Sequence, residues 1–313
     1  MKTILLRTLV IGATYFVFSG PAAHAVAVSP IAPGDIIFTE FFNGWHKLDP
    51  VTGQVTPLPW PKSSNFTKTL TFDIGGAILY DDFNGEVKRL NPLTGAVRSL
   101  NVPGVSLTDG FVVESNGDLL IANSGAISRY SRASQQTTTV TSGTFFAPNG
   151  IASGAHGRVF ITEFFNDLWE IDPVSSARSW VTSADLSIPS LIEVRSDGDL
   201  IVKNFSPSQL NVIDPDTGSV ALFSSDLPTF VRDIVLDAND ALWLTSTDGI
   251  FRYDSSGGNR TLIASGTFFS PRAIAIVPQN WKAHAIPEPT AYALSLIAIT
   301  LIGLNKVRPR PAH

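Results

Sequence analysis

A repeat of about 41 residues constrains the fold of this chain more than any other feature of its sequence. A glycine or aspartate followed by a short, β-rich apolar run recurs six times, with successive steps of 42, 41, 40, 41 and 42 residues. The copies begin at Gly34, Gly76, Gly117, Gly157, Gly198 and Asp240. Six units at this period are typical of six blades of four short strands each. The sequence therefore predicts an all-β fold, a six-bladed β-propeller.

The copies share an internal order of strands and turns. An apolar inner strand comes first, and a tight turn such as Asn116-Gly117 leads to the second strand. The third strand ends in a turn such as Asp49-Pro50-Val51-Thr52-Gly53. In that turn proline sets φ at the first corner, and glycine takes the left-handed position that leads to the fourth strand.

The two ends of the repeat region predict how the ring closes. The first copy has no inner strand before Gly34, whereas the sixth copy is followed by a spare apolar strand, Arg272-Ala273-Ile274-Ala275-Ile276. Pairing of residues 270–277 with residues 35–39 would close the ring and remove two open strand edges. We therefore expect the first blade to be built from both ends of the domain.

A second, longer period relates the two halves of the repeat region. Thr39-Glu40-Phe41-Phe42-Asn43 recurs 123 residues later as Thr162-Glu163-Phe164-Phe165-Asn166, and Ser142 to Phe146 recurs as Ser265 to Phe269 with the same offset. This distance equals three blades, so the halves should be related by a pseudo-twofold axis along the channel.

The repeat region resembles the six-bladed propellers of the NHL, streptogramin-lyase and gluconolactonase-like group. The resemblance covers residues 34–278 and rests on the repeat and on the phrase Ala147-Pro148-Asn149-Gly150-Ile151-Ala152. It implies the fold, but propellers of this kind host many functions.

Polar residues are predicted to gather at one end of the channel, where inner strands begin and second strands end. That end of a propeller is the default ligand site. The candidates for ligand binding are Glu40, Asp81, Asp109, Asn149, Glu163, Asn204, Arg232, Asp233 and Arg272.

Two classes of function fit these residues. The first is a binding protein, without metal or cofactor, whose ligand is a polysaccharide, a protein or a small polar molecule. The alternative is a lactonase or hydrolase that uses Ca²⁺ or Mg²⁺, because resemblance to gluconolactonase-like enzymes would make Asn149 and Asp233 metal ligands. That family's glutamate falls near Arg272, a cation, which favours the binding protein. His46, His156 and His284 are not placed for acid–base chemistry.

The last residues of the chain have the pattern of a sorting signal. Pro287-Glu288-Pro289 precedes an uncharged run from Ala291 to Leu304, about 21 Å long as a helix, and Lys306, Arg308 and Arg310 follow. This order resembles the PEP-CTERM sorting signal of bacterial exported proteins, and it implies processing by an exosortase in a Gram-negative envelope. The basic end should stay in the cytoplasm. An ordinary buried terminal helix is the alternative.

The beginning of the chain predicts export through the Sec machinery. Lys2 and Arg7 precede an apolar stretch, and Ala23-His24-Ala25 fits the cleavage rule for signal peptides. The mature chain should begin at Val26, with an uncleaved anchor as the alternative. We thus divide the chain into a signal peptide (1–25), a propeller (26–280), a linker (281–289) and a transmembrane sorting tail (290–313). The destination is the envelope, the cell surface or the medium.

Composition narrows the class of partner. The chain has no cysteine, which excludes disulfides, haem attachment and thiol catalysis. Removing the five basic residues of its two ends from the total of 22 leaves 17 against 27 acidic residues, so the exported part carries a net charge of −10. Such a surface repels nucleic acid and suits solubility or neutral polymers.

Overall fold

The fold is a ring of six four-stranded antiparallel sheets, as the repeat predicts. A computed structural model describes residues 30–282, apart from 42–43, 62–66, 83, 106–107, 124, 143–144, 146, 155–156, 166, 185, 267 and 269. The predicted leader, the Pro-Glu-Pro motif and the apolar tail lie outside these residues.

Each blade runs from an inner strand at the channel to an outer strand at the surface. Blades 1 to 3 consist of β24 (Pro271–Ile276), β1 (Ile36–Glu40), β2 (Trp45–Leu48) and β3 (Val55–Pro57); β4 (Leu70–Phe72), β5 (Ile78–Asp81), β6 (Val87–Leu90) and β7 (Val97–Ser99); and β8 (Gly110–Val113), β9 (Leu119–Asn123), β10 (Ala126–Ser131) and β11 (Gln136–Ser142). Blades 4 to 6 consist of β12 (Pro148–Ser153), β13 (Val159–Glu163), β14 (Leu168–Ile171) and β15 (Arg178–Thr182); β16 (Ile192–Val194), β17 (Leu200–Asn204), β18 (Gln209–Ile213) and β19 (Val220–Ser224); and β20 (Asp233–Leu236), β21 (Leu242–Ser246), β22 (Gly249–Tyr253) and β23 (Arg260–Ala264).

The ring closes in the predicted way, inside blade 1. The spare strand β24 pairs antiparallel with β1, so that Ile36 lies opposite Ile276 and Phe38 opposite Ile274. Two hydrogen bonds extend this pairing: the N–H of Val277 donates to the carbonyl of Asp35 at 2.8 Å, and the N–H of Gly34 donates to the carbonyl of Val277 at 2.9 Å. Both ends of the domain thus share one sheet, and the inner edge of β1 is covered.

The hydrophobic core consists of six clusters, one between each pair of adjacent blades. Phe38 and Ile274 of blade 1 pack against Trp243 of blade 6, for example, while Ile37 of blade 1 packs against Tyr80 of blade 2. The second strands are apolar at successive positions because both of their faces are covered by neighbouring blades. This packing holds the inner strands around a central channel.

The turn after the third strand has the chemistry that its residues predict. In blade 1, Gly53 has a φ of 71° and its N–H donates to the carbonyl of Asp49 at 2.9 Å. The Asp49 carboxylate accepts the N–H of Val51 at 2.8 Å. These turns direct the outer strands and lie away from the channel.

Candidate functional site at the mouth of the central channel

A channel runs along the centre of the described propeller. It encloses about 780 Å³ and is lined by all six inner strands. At one end, where the inner strands begin, the lining is polar, and we call this end the mouth. At the other end the channel is lined by residues of the segment after β24, and the indole N–H of Trp281 donates to the carbonyl of Gly76 at 2.9 Å.

Four of the nine predicted site residues line the channel at its mouth: Asp109, Asn149, Arg232 and Asp233. Each lies at or just before the start of an inner strand, as predicted. Asn149 donates from its side-chain amide to the carbonyl of Pro189 at 3.2 Å, which joins blade 4 to the loop before blade 5. Lys68 lies 3.7 Å from Asp109. Sequence reasoning about strand starts therefore located residues that face the lumen.

The predicted residues at the ends of second strands lie elsewhere. Asp81 is almost fully buried, and one of its oxygens accepts the N–H groups of Lys68 and Thr69 at 2.8 Å each. Burial raises the pKa of Asp81 to about 6, although both hydrogen bonds act in the opposite direction. Its carboxylate holds the loop before β4 in place rather than facing the lumen.

Glu40, Glu163 and Asn204 also do not line the channel. The Glu163 carboxylate accepts from the indole of Trp169 at 3.0 Å, and Asn204 is fully buried. Glu40 lies 3.4 Å from His46, which stacks on Phe38 away from the lumen. The expectation that these side chains point toward the axis is not met, because second strands lie one strand behind the lining and their ends bond to neighbouring loops and strands.

Arg232 lines the mouth, whereas Arg272, the ninth predicted site residue, begins the adjacent inner strand of blade 1 and is not among the residues that line the channel. Thr245 contacts both backbones: its carbonyl accepts the N–H of Arg232 at 2.8 Å, and its hydroxyl donates to the carbonyl of Arg272. The Arg232 guanidinium lies over the ring of Phe230 at 5.7 Å, and that of Arg272 over Phe41 at 4.7 Å. Burial and the charge of Arg232 lower the pKa of Arg272.

The sequence analysis missed Glu193, the one acidic residue of strand β16. It lines the middle of the channel, at a level where the other inner strands carry Thr71, Val112, Ala152, Val235 and Ala275. Its side chain is partly exposed to the lumen, but the channel wall surrounds the carboxyl group. Removal of water from the carboxyl group raises the pKa of Glu193 to about 8. A glutamate within an inner strand that is otherwise apolar was the available signal.

Asp233 lies at the mouth, two residues along β20 from Val235, which is at the level of Glu193. Its carboxylate oxygens accept the N–H groups of Ile234 and Ile274, each at 2.9 Å. Burial, with the charge of Glu193 as a smaller cause, raises the pKa of Asp233 well above that of an ordinary aspartate. Burial is therefore the main cause of a raised pKa in both Glu193 and Asp233.

Exposed phenylalanine side chains lie on the mouth side of the propeller, in blades 4 and 5 and in the loop before blade 6. Phe205 follows β17, and its N–H donates to the carbonyl of Ser187 in the loop before β16, which places it on the mouth side. Phe164 bonds in the same way to Ala147, before β12. The exposed fractions are 40% for Phe164, 59% for Phe165, 62% for Phe205 and 67% for Phe230. Large apolar side chains exposed together on one face are typical of a binding surface.

Comparisons with known proteins support the fold. No protein-family model matches the chain, and no curated protein matches it. Among solved structures, a chain of the crystal structure of a nidogen/laminin complex is similar, with a TM-score of 0.67 and 12% sequence identity. The match covers 78% of this chain and 98% of that one. At this identity the similarity shows a shared propeller fold and nothing about chemistry.

Within the part of the chain that the structure describes, no three histidine, cysteine, aspartate or glutamate side chains are grouped so as to hold a metal ion. No helix among those residues is long and apolar enough to cross a bilayer. His156, His284 and the run from Ala291 to Leu304 lie outside the described residues.

Proposed function

We propose that this protein is an exported binding protein that holds its ligand at the mouth of the propeller channel. One observation carries the proposal: exposed phenylalanines of blades 4 and 5 and of the loop before blade 6 lie on the same side as a polar mouth, which opens into a channel of about 780 Å³. Ligand sites combine apolar contact area with a few polar groups that orient the ligand, and this mouth offers both.

The proposal includes export and sorting. The signal-peptide pattern before Val26, and the Pro-Glu-Pro motif with its apolar run and basic end, support handling by the Sec machinery and an exosortase. The position of Lys282 adds a geometric argument, because it lines the channel at the end opposite the mouth. A tail that leads from there to a membrane would leave the mouth turned toward the outside, where an extracellular polymer or surface protein is found.

A metal-dependent lactonase gains no specific support. Asn149 and Asp233 do line the channel, but Asn149 donates its amide to Pro189, and the Asp233 carboxylate accepts two backbone N–H groups. Arg232 lines the same mouth, and its positive charge repels a divalent cation.

A screen of the purified full-length chain against glycans, peptides and small polar molecules tests the proposal. The variants Phe205→Ala and Phe230→Ala remove exposed rings at the mouth. Each should lower the affinity for a ligand that binds there by at least about threefold, without affecting folding. Trp180→Ala is the matched control, because Trp180 is 56% exposed on an outermost strand, β15. If every bound ligand is insensitive to both mouth variants, the mouth is not the binding site and the proposal is wrong.

A further inference from the structure

Glu193 is the one carboxyl group of the described channel lining that has no bonding partner. Among the residues that the structure describes, no group donates a hydrogen bond to the Glu193 carboxyl group, and no cation lies within 4 Å of it. Each other acid of the lining is paired: Asp73 with Arg89 at 2.9 Å, Glu114 with Arg129 at 2.7 Å, Asp109 with Lys68 at 3.7 Å, and Asp233 with two backbone N–H groups. The lumen therefore contains one acceptor group that the fold itself does not use.

The channel wall around Glu193 is mostly apolar. At the same level the other inner strands carry one hydroxyl, on Thr71, and four aliphatic side chains: Val112, Ala152, Val235 and Ala275. Blades 2 and 5 are three positions apart in a ring of six, so Thr71 lies across the channel from Glu193. A carboxylate in such surroundings is costly without a counter-ion, and a cation that entered the lumen would stabilise it.

The charged residues at the two ends of the channel leave this level to Glu193. At the mouth, the lining cations Lys68 and Arg232 are matched in number by Asp109 and Asp233. At the opposite end the lining contains Asp73, Glu114 and Lys282. Asp73 and Glu114 are paired with arginines, as Arg132 also lies 3.1 Å from Asp73. A positive group that reaches the middle of the lumen thus meets one unpaired carboxyl group.

We propose that the lumen binds a linear aliphatic amine, with its ammonium group on the Glu193 carboxylate and its hydrocarbon chain against the apolar wall. This site lies deeper than the mouth, and the inference goes beyond the proposed function. A primary ammonium has three N–H donors, and a carboxylate accepts them in charge-assisted hydrogen bonds. The chain buries apolar surface against Val112 and Val235. A divalent metal ion fits less well, because one carboxyl group supplies too few oxygen ligands.

Binding of an amine should strengthen as the pH rises. Burial raises the pKa of Glu193 to about 8, so about 1% of the carboxyl groups are ionised at pH 6 and about half at pH 8. The amine stays protonated over this range, because its pKa resembles that of lysine, about 10.4. Since only the ionised carboxylate pairs with an ammonium group, the apparent affinity should rise at least about tenfold between pH 6 and pH 8. At about pH 7, binding should release close to one proton.

Titration calorimetry of the purified full-length chain tests the proposal, with hexylamine as the probe. The neutral control is 1-hexanol, and hexanoate carries the opposite charge. We expect hexylamine to bind at least about tenfold more tightly than either at about pH 8. Glu193→Gln should remove this preference and the pH dependence, whereas Glu193→Asp, which keeps the charge, should lose less affinity. Glu86→Gln makes the same chemical change at an exposed position and is the matched control, with an expected change of less than about twofold.

Several outcomes would overturn the amine inference. They are no binding of hexylamine, equal affinity for hexylamine and 1-hexanol, an affinity that does not change between pH 6 and pH 8, or an unchanged affinity in a folded Glu193→Gln variant. Each leaves the proposed function standing, since that is tested at the mouth by Phe205→Ala and Phe230→Ala. Thermal melting of each variant separates loss of the site from loss of the fold.

Discussion

The carboxylate of Asp233 accepts the backbone N–H of Ile274 at 2.9 Å, and this hydrogen bond crosses from the inner strand of blade 6 to that of blade 1. Blade 1 is the sheet in which the two ends of the domain pair. Asp233 therefore has two roles. It lines the mouth of the channel, and it links blade 6 to blade 1 where the ring closes, a junction that we call the seam.

Replacing Asp233 by alanine should destabilise the propeller by about 1–3 kcal/mol, because the N–H of Ile274 would lose its acceptor in a buried position. Chemical unfolding measures the effect. Asp109→Ala is the control at the equivalent end of blade 3, where the carboxylate is partly exposed and lies 3.7 Å from Lys68. Asp109→Ala should lower the free energy of unfolding by less than about 1 kcal/mol. Equal losses for the two variants would mean that the bond from Asp233 to Ile274 does not stabilise the seam.

Glu193 should make the folded chain more stable in acid than in alkali. Its pKa is about 8 in the folded state and about 4.3 when unfolded, so its stabilising contribution is complete below about pH 4 and is lost as pH rises toward 8. Glu193→Gln cannot ionise, so its free energy of unfolding should exceed that of the parent by about 4 kcal/mol at about pH 8 and by only about 1 kcal/mol at about pH 5.

Unfolding curves at both pH values provide the measurement. Asp81 and Asp233 also have raised pKa values, so the free energy of unfolding of the Glu193→Gln variant should still fall somewhat as pH rises. Glu86→Gln is the control: this surface carboxylate has a pKa lowered chiefly by Lys88, and it is ionised throughout this range. A Glu193→Gln variant with the parental pH dependence would show that Glu193 is ordinarily ionised in the channel.

The sequence was sufficient to predict closure of the ring, because the missing and spare strands are visible as a deficit before Gly34 and an excess after Ser270. It was also sufficient to place Arg232 and Asn149 at the mouth, since the start of an inner strand can only lie at one end of the channel. These predictions depend on chain order and strand direction, which the repeat determines.

The direction of individual side chains could not be predicted in the same way. Asp81 ends a second strand, but its carboxylate turns to backbone N–H groups 12 and 13 residues earlier in the chain. The path of that loop is set by tertiary packing and has no periodicity in the sequence. Glu193 was overlooked for a different reason. A single acid between Ile192 and Val194 has the alternating pattern of an ordinary strand with one face in solvent, so it did not stand out as a channel residue.

Deleting residues 270–280 should cause aggregation during purification. The deletion removes β24, which leaves the inner edge of β1 without its partner and the apolar cluster between blades 6 and 1 incomplete. A chain that ends after Lys282 keeps the seam and is the control. Light scattering and size-exclusion chromatography distinguish the two, and a soluble, monomeric deletion variant would show that the seam is dispensable.

Calcium and magnesium should bind weakly or not at all to the propeller. Arg232 and Asn149 both line the mouth, and the positive charge of Arg232 repels a divalent ion there. Calorimetry with each ion is the measurement, and Asn149→Ala is the companion variant because Asn149 would be a metal ligand in a lactonase-type site. Stoichiometric Ca²⁺ binding at about micromolar concentration that Asn149→Ala abolishes would favour the lactonase alternative over the binding protein.

Replacing Pro287, Glu288 and Pro289 by alanines should change release or anchoring of the protein in a host that has an exosortase. The reason is that the Pro-Glu-Pro motif, rather than the apolar run after it, would carry the processing signal. The same variant in a host without an exosortase is the control, and there its distribution should match that of the parent chain. Fractionation with immunoblotting locates the protein, and N-terminal sequencing should find Val26 as the first residue. A chain that retains Met1 would contradict cleavage of the leader, and an unchanged distribution in the exosortase host would mean that the tail acts only as a membrane helix.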